Sequence, residues 1–396
     1  MATFDDAGGK YKQQIRTPDP PMKKPRYLLH IILFLGTVFT TVMAGAEHIH
    51  GGGYFLFNWL NAGTFSWAKF ADGWLFSFSF LAFLTCHEFG HYFAALYHGV
   101  RTSLPYYIPV FIPGSMLNIG SFGAVIRFRE MPPSRRKYFD IGGAGPLAGF
   151  VVSVILLVVG FTTLPDLYNY VGQIHPVFTD IEAAKEYSGE LALVGTNLLY
   201  DGMAWLLADP DQLPPAWEVM HYPLLFAGYL TLFFTALNLL PNGQLDGGHV
   251  VYGLFGRKIH GWVRRGAVLG LVVVGGTGVP DVYGAEIDTF TFVSYGLYLG
   301  LLFLVWRRVL NQAPAGLAAV CAVGLFGIQF LTKQMFPEIE TNFIWLVYAF
   351  FSVAFVGMDH PGALDERPLD TRRKFLGYLA LAIFILCYSI SPLSLA

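Results

Sequence analysis

Long apolar runs alternate along the chain with shorter polar segments, and this pattern is the first guide to the fold. A run of about 20 apolar residues makes a helix that crosses the hydrocarbon core of a bilayer. The pattern therefore predicts an α-helical polytopic membrane protein, in which the fifth run is the shortest. The nine expected spans are residues 27–44, 74–97, 141–163, 223–240, 267–279, 290–306, 316–331, 343–356 and 375–390.

The polar segments indicate the domain organisation. Residues 1–24, rich in Lys, Asp and Pro, predict a disordered tail. Residues 25–396 are expected to form a single membrane domain. Residues 164–222 make an acidic loop of about 60 residues, which is near the lower size limit of a folded domain, so only local structure is expected there.

Composition places these helices in lipid rather than in a water-soluble core. Hydrophobic residues make up 54% of the 396 residues and charged residues 13%, and the mean hydropathy is +0.50. These values are too apolar for a soluble globule. The net charge of −2 includes no basic field of the kind that nucleic acid requires. Three cysteines, far apart in apolar runs, predict no disulfide framework.

The distribution of basic residues predicts the side of the membrane on which each loop lies, because cytoplasmic loops carry an excess of Lys and Arg. With a cytoplasmic N-terminus and nine crossings, 22 of the 25 basic residues fall on the cytoplasmic side. Removing the short fifth run would move the last two basic clusters outside. No cleavable signal peptide is expected. The pattern favours a prokaryotic plasma membrane, with an organelle membrane as the alternative.

The second apolar run contains ionisable residues that are costly in lipid. Its sequence FLTCHEFGHYFAAL places His87, Glu88 and His91 in an H-E-x-x-H pattern. Each such residue costs about 2.5–3.5 kcal/mol at the centre of a bilayer. On a helix, His87 and His91 lie one turn apart on the same face, where both can bind one Zn²⁺. The alternative is a pair of buried histidines satisfied by hydrogen bonds between helices, with Glu88 in an ion pair.

A catalytic zinc site takes three protein ligands and leaves a position for water. The best third candidate is Asp246, in the sequence NLLPNGQLDGGHV at the inner end of the fourth run. In the predicted topology the second and fourth runs both enter from outside, so Asp246 reaches a depth similar to that of His87. Alternatively, Pro241 and the neighbouring glycines only end one helix, and Asp246 caps the next segment of the chain.

These two motifs, in this order, resemble those of the site-2 protease family of intramembrane zinc metalloproteases. The second motif runs from Asn238 through Pro241 to Asp246 and Gly247. The segments GSFGAVI at 120–126 and AGPLAG at 144–149 also resemble the family's membrane-associated β segment and its small-residue helix. The similarity covers roughly residues 74–248, within an expected catalytic core of about 74–250. It leaves the C-terminal helices at about 266–394 without a role.

The third apolar run is rich in glycine at its start. Gly142, Gly143, Gly145 and Gly149 give this run a smooth surface, which allows another helix to approach closely. We expect it to pack against the helix that carries the two histidines.

The residues themselves indicate metal-assisted hydrolysis with one Zn²⁺ per chain. Zinc held by His87, His91 and Asp246 would lower the pKa of a water molecule and polarise the scissile carbonyl. Glu88 can accept the proton of that water and return it to the leaving amine. Asn238 is a candidate donor to the developing oxyanion. Alternatively, Asn238 ties down the chain around the nearby proline.

A protease that acts within a membrane has to hold its substrate in an extended form. The segment SFGAVIRFR at 121–129 partly alternates and predicts an edge strand, to which a substrate strand can pair. The alternative is an ordinary cytoplasmic hairpin. The preceding LPYYIPVFIPG at 104–114 holds three prolines, and we expect it to dip into the inner leaflet. The expected substrate-binding residues are Gly120, Ser121, Phe122, Gly123 and Ala124.

The expected function is therefore an intramembrane zinc endopeptidase whose partners are the bilayer and a transmembrane protein substrate. One alternative is another membrane zincin, such as a prenyl-protein protease, which would need a downstream glutamate as its third ligand. Another is a non-proteolytic protein, either a transporter or an inactive relative, for which the five C-terminal runs leave room. His98, His249 and His260, near the inner interface, are interpreted as ordinary surface histidines.

Overall fold

Helices account for most of the described chain, as the apolar runs predict. The computed structural model describes residues 27–50, 66–112, 118–166, 170, 172, 192–279, 289–310, 313–339, 342–356 and 360–395. The predicted tail at 1–24 and residues 173–191 of the acidic loop lie outside these ranges. The helices are α1 (Tyr27–His50), α2 (Trp67–Ala71), α3 (Trp74–Tyr97), α4 (Arg135–Thr162), α5 (Leu198–Leu207), α6 (Pro223–Leu239), α7 (Asp246–Gly276), α8 (Thr289–Val309), α9 (Ala315–Met335), α10 (Phe343–Phe351) and α11 (Thr371–Cys387).

Each predicted apolar run falls largely on one of these helices, and α3 has the bounds predicted for the second run. Within the described residues, α1, α4 and α9 are long and apolar enough to cross a membrane by length and composition. The helix α3 has sufficient length, but His87, Glu88 and His91 lower its mean hydropathy. The polar residues of the predicted site therefore account for the weaker membrane signal of α3.

The fifth apolar run is the C-terminal end of a much longer helix. The helix α7 begins at Asp246 and continues to Gly276, with a non-helical backbone at Gly256 (φ 79°, ψ 177°). Glycine adopts this conformation at little cost, because it has no side chain. The kink divides α7 into a short first segment, in which Gly253 packs against Phe139 of α4, and a longer second segment. The polar stretch 257–265 comes directly after the kink, which explains why hydropathy marks only the end of the helix.

The helices α3, α4 and α6 form the centre of the molecule. Their packing buries Phe80, Leu157 and Phe226 almost completely. A second buried cluster surrounds Trp345 of α10, whose ring lies 5.9 Å from that of Phe233 on α6. The helices α8, α9 and α10 share this second cluster with α6 and α7, so the C-terminal part of the chain packs directly behind the helices of the predicted site.

A β-hairpin lies along α1. Its strands, β1 (Tyr106–Pro109) and β2 (Ser121–Val125), pair antiparallel. His30 of α1 is hydrogen bonded to the Pro105 carbonyl at 3.0 Å, and Asn118 donates to Glu47 at 2.8 Å. These contacts are 17 residues apart on α1, or about 25 Å of helix. The hairpin therefore runs along most of the length of α1, and the expected dip into the inner leaflet stays a prediction.

Two further contacts join distant parts of the chain. Strand β3 (Ala192–Val194) of the acidic loop pairs antiparallel with β4 (Leu393–Leu395) at the C-terminal end of the described chain. Residues 360–370, which we call the C-terminal strap, lie against the start of α4. There the Arg135 N–H donates to the Asp365 carbonyl at 2.9 Å, and the Arg136 guanidinium donates to the Pro368 carbonyl at 3.0 Å.

Candidate metal centre

His87, His91 and Asp246 meet at one point between α3 and α7. The Nε2 atoms of His87 and His91 are 3.1 Å apart, and each lies 3.3 Å from Oδ2 of Asp246. The histidines are one turn apart on α3, and Asp246 is the first residue of α7. Among the described residues, this is the one group of three His, Cys, Asp or Glu side chains whose ligand atoms lie close enough to share a metal ion.

The spacing of these atoms fits a zinc ion. In a tetrahedral site with bonds of about 2.0–2.1 Å, neighbouring ligand atoms lie about 3.3–3.4 Å apart. The separations of 3.1–3.3 Å match the edges of such a tetrahedron. Two imidazole nitrogens and one carboxylate oxygen are also a donor set that zinc prefers. Geometry and donor chemistry therefore agree with the zinc expected from the sequence.

The helix α4 holds His91 in position. Nδ1 of His91 is hydrogen bonded to the Ile141 carbonyl at 2.7 Å, which turns Nε2 towards Asp246. Directly behind the ring lies Gly145, where a Cβ atom would come within 2.1 Å of His91 Nε2. The glycine-rich face expected on the third apolar run therefore includes Gly145, against which the His91 ring packs.

A tight turn brings Asp246 back to α3. The helix α6 ends at Leu239, and α7 begins seven residues later. A Cβ atom at Gly247 would lie only 1.9 Å from the Leu239 carbonyl oxygen, so only glycine permits this approach. The glycines that suggested a simple helix stop therefore also bring Asp246 to the histidines. The cap role of the alternative interpretation is not seen, because Leu245 is the N-cap residue of α7 and no side chain caps this helix.

A cavity of about 320 Å³ opens beside the three side chains, and both predicted catalytic residues line it. Glu88 is buried, and Ile126, just after β2, lines the same cavity. The amide nitrogen of Asn238 lies 3.4 Å from His87 Nε2. Within the described chain, this is the one hydrogen bond of the Asn238 side chain, and it does not reach the turn around Pro241.

The structure places the five predicted substrate-binding residues in different surroundings. Ala124 lines the cavity, together with Val125 and Ile126. Gly120 packs against α1, where its carbonyl accepts a hydrogen bond from Thr40 at 2.6 Å. The remaining three line no part of the cavity: they are Ser121, whose hydroxyl is bonded to the Ile108 carbonyl, Phe122, which is exposed, and Gly123, which has a positive φ.

Sequence reasoning missed His249 as a cavity residue. It lies three residues after Asp246, on the same face of α7, and lines the cavity. The helical spacing from Asp246 is the signal that could have identified it. The interpretation of the inner histidines as surface residues is also wrong for His260, which is 2% exposed. His98 is paired with Asp140 at 2.8 Å.

Known proteins resemble the part of the chain that builds this centre. Residues 75–269 match the sequence model of peptidase family M50. Over 204 residues the chain is 35% identical to "Probable zinc metalloprotease EGY1, chloroplastic" of Arabidopsis thaliana, covering 50% of this chain and 33% of that protein. Over 256 residues it is 30% identical to "Probable zinc metalloprotease EGY2, chloroplastic" of Oryza sativa subsp. indica, covering 65% of this chain and 42% of that protein. The matched region thus spans less than half the length of either relative. No solved structure matches the chain.

Proposed function

Residues 75–269 of this chain belong to peptidase family M50, the site-2 protease family, and on that premise we propose that the protein is an intramembrane zinc metalloprotease. Its substrates are membrane proteins, cut at peptide bonds within or next to the bilayer. The observation that carries the proposal is the convergence of His87, His91 and Asp246 at 3.1–3.3 Å from two separate helices. Relatives described as zinc metalloproteases support it.

Zinc bound by these three side chains supplies a Lewis acid and lowers the pKa of water. Glu88 is the residue after His87 and lines the same cavity, so we assign it the role of general base. Asn238 is assigned as a donor to the developing oxyanion, since its amide faces His87 and not the turn after α6.

The substrate is proposed to bind as an extended strand along β2. Within the described chain, the sheet has two strands, so β2 has no partner strand on its second edge. The residues Ala124 to Ile126 at this edge line the cavity beside Glu88. Unpaired backbone groups at membrane depth are costly unless they face water or a partner. A substrate strand would supply that partner and would present its own peptide bonds to the metal centre.

We further propose nine crossings and a cytoplasmic N-terminus. In that topology, six membrane crossings separate β3 from β4, so both strands lie outside, in agreement with their pairing. The starts of α4 and α11 both lie inside, in agreement with the contact between Arg136 and Pro368. The proposed location is a prokaryotic plasma membrane. The relatives described as chloroplastic support an organelle membrane as the second candidate.

The function is tested by comparing membrane-protein fragments in cells that make the wild-type chain or the Glu88→Gln variant. We expect specific fragments with the wild-type chain and their absence with Glu88→Gln, while both purified proteins hold equal zinc. Glu338→Gln, which changes an exposed glutamate in the turn three residues after the end of α9, is the matched control and should preserve the fragments. Identical fragment patterns from the wild type and Glu88→Gln would refute proteolysis.

A further inference from the structure

A pair of histidines links the cavity to the C-terminal strap and has no part in the mechanism above. His249 lines the cavity, and its Nδ1 lies 2.9 Å from Nε2 of His360 in the strap. His360 is beyond residue 269, so it is outside the segment that matches the M50 family. The contact joins the matched and unmatched parts of the chain at the edge of the metal centre.

The hydrogen bonds assign a position to each proton of the pair. The Gly362 backbone N–H donates to Nδ1 of His360 at 3.1 Å, so this nitrogen is an acceptor and carries no proton. Nε2 of His360 then carries the proton and donates it to Nδ1 of His249. Nδ1 of His249 is thereby an acceptor, which leaves the proton of its neutral ring on Nε2.

The surroundings keep His360 neutral. His360 lies in the strap, between the eighth and ninth apolar runs. Burial, and then the neighbouring His249, His260 and Arg257, lower the pKa of His360 to about 3. Its ring therefore stays uncharged at physiological pH, as the hydrogen bond from Gly362 requires.

Packing fixes both rings. Tyr138 stacks on His249 at a ring separation of 5.3 Å, and a Cβ atom at Gly142 would come within 2.5 Å of His249 Cβ. Tyr252 stacks on His360 at 3.9 Å. In contrast to Nδ1, Nε2 of His249 has no hydrogen-bond partner in the described chain, and the His249 side chain lines the cavity.

We propose that His249 donates a hydrogen bond from Nε2 to the carbonyl oxygen of the scissile peptide bond, as a second donor beside Asn238. His360 is a positioning residue that fixes the tautomer of His249. The inference rests on the proposed proteolytic function. Its basis is the fixed N–H, the position of His249 one helical turn from Asp246, and its place in the cavity wall. A donor aimed at the developing oxyanion stabilises the transition state.

The kinetic test compares His249→Leu with His249→Gln, whose amide N–H reaches about as far as Nε2. With a reporter that the wild type cleaves, we expect His249→Leu to lose about 100-fold in kcat, with zinc content and KM nearly unchanged. His249→Gln should recover most of that loss. His360→Leu should lose about tenfold, and the double variant should be no slower than His249→Leu alone.

Equal loss in the Leu and Gln variants of His249 would show a packing role and overturn the proposal. Additive losses at His249 and His360 would also overturn it. His50→Leu, at the far end of α1 from the cavity, is the matched control and should keep wild-type kcat.

A second test does not depend on cleavage. In the Glu88→Gln chain labelled with ¹⁵N-histidine in bilayers, the resonances of His249 are assigned by their loss in His249→Gln. We expect a protonated Nε2 and an unprotonated Nδ1, and an added Nδ1-protonated population in His360→Leu. A His249 ring protonated on Nδ1 would overturn the proposal even if the chain proves to be a protease. If His249 shows the expected tautomer but the wild-type chain cleaves no substrate, the proposed function is refuted and the tautomer assignment stands.

Discussion

Replacing Gly145 by alanine should displace one zinc ligand without disturbing the fold. The added Cβ would lie 2.1 Å from His91 Nε2 and 2.5 Å from the neighbouring ring carbons, whereas ordinary contact begins at 3.4 Å. The ring therefore has to move by about 1.3 Å, and zinc–ligand distances tolerate only about 0.2 Å. Since alanine favours a helix over glycine by about 1 kcal/mol, α4 itself should not be weakened.

We expect zinc affinity to fall about 10–100-fold in Gly145→Ala, with a parallel loss of cleavage. Affinity is measured by competition with a chelator in detergent, and folding is measured by thermal unfolding of the zinc-free chains. Zinc-free Gly145→Ala should unfold within a few degrees of the wild-type temperature, because the gain of about 1 kcal/mol in helix propensity offsets part of an overpacking cost of about 1–3 kcal/mol.

Gly143→Ala provides the matched control on the same helix. Its Cβ would meet only Val250, at an ordinary 3.8 Å, so zinc affinity should remain at the wild-type value. The reasoning is refuted if Gly145→Ala binds zinc as tightly as Gly143→Ala does.

Three further predictions concern other parts of the structure. Asn238→Ala should lower kcat about 100-fold at unchanged zinc content. An unchanged kcat would contradict the assignment of Asn238 as a donor to the oxyanion and would favour its structural role near Pro241. Trp345→Ala removes the largest buried side chain of the second cluster and should lower the free energy of unfolding by about 3–5 kcal/mol in denaturant titrations. A decrease of less than about 1 kcal/mol would contradict the tight packing around Trp345. In a cysteine-free chain, Ala124→Cys should form a disulfide with cysteine-substituted substrate, whereas exposed Phe122→Cys should not. Equal cross-linking at both positions would argue against binding at the cavity edge.

The helices could be predicted because each apolar run is a local property of the sequence. The start of α7 could not, because the polar stretch 257–265 hides a helix that continues through the kink at Gly256. Strand β1 was missed because Pro105 and Pro109 indicated an irregular dip. The position of the hairpin along α1 depends on hydrogen bonds between residues about 75–80 positions apart in the sequence.

The candidate site shows the same division between local and distant information. The spacing of His87 and His91 follows from helix geometry, and Asp246 could be matched to them through the predicted topology. The packing of Gly145 and Gly149 against α3 was also predicted, whereas Gly142 and Gly143 instead face His249 and Val250 of α7. The contact between His249 and His360 joins residues 111 positions apart, and no local pattern indicates it. The wall of the cavity at Ala124 to Ile126 likewise depends on how the hairpin packs beside Glu88.

The most direct test of the metal centre is zinc X-ray absorption spectroscopy on the purified wild-type chain and on Asp246→Ala. The account predicts one zinc per wild-type chain, with scattering from two imidazole rings and an oxygen ligand at about 2.0–2.1 Å, and little bound zinc in Asp246→Ala. Zinc bound without histidine scattering, or full zinc binding by Asp246→Ala with an unchanged spectrum, would contradict the convergence of α3 and α7 on one metal ion.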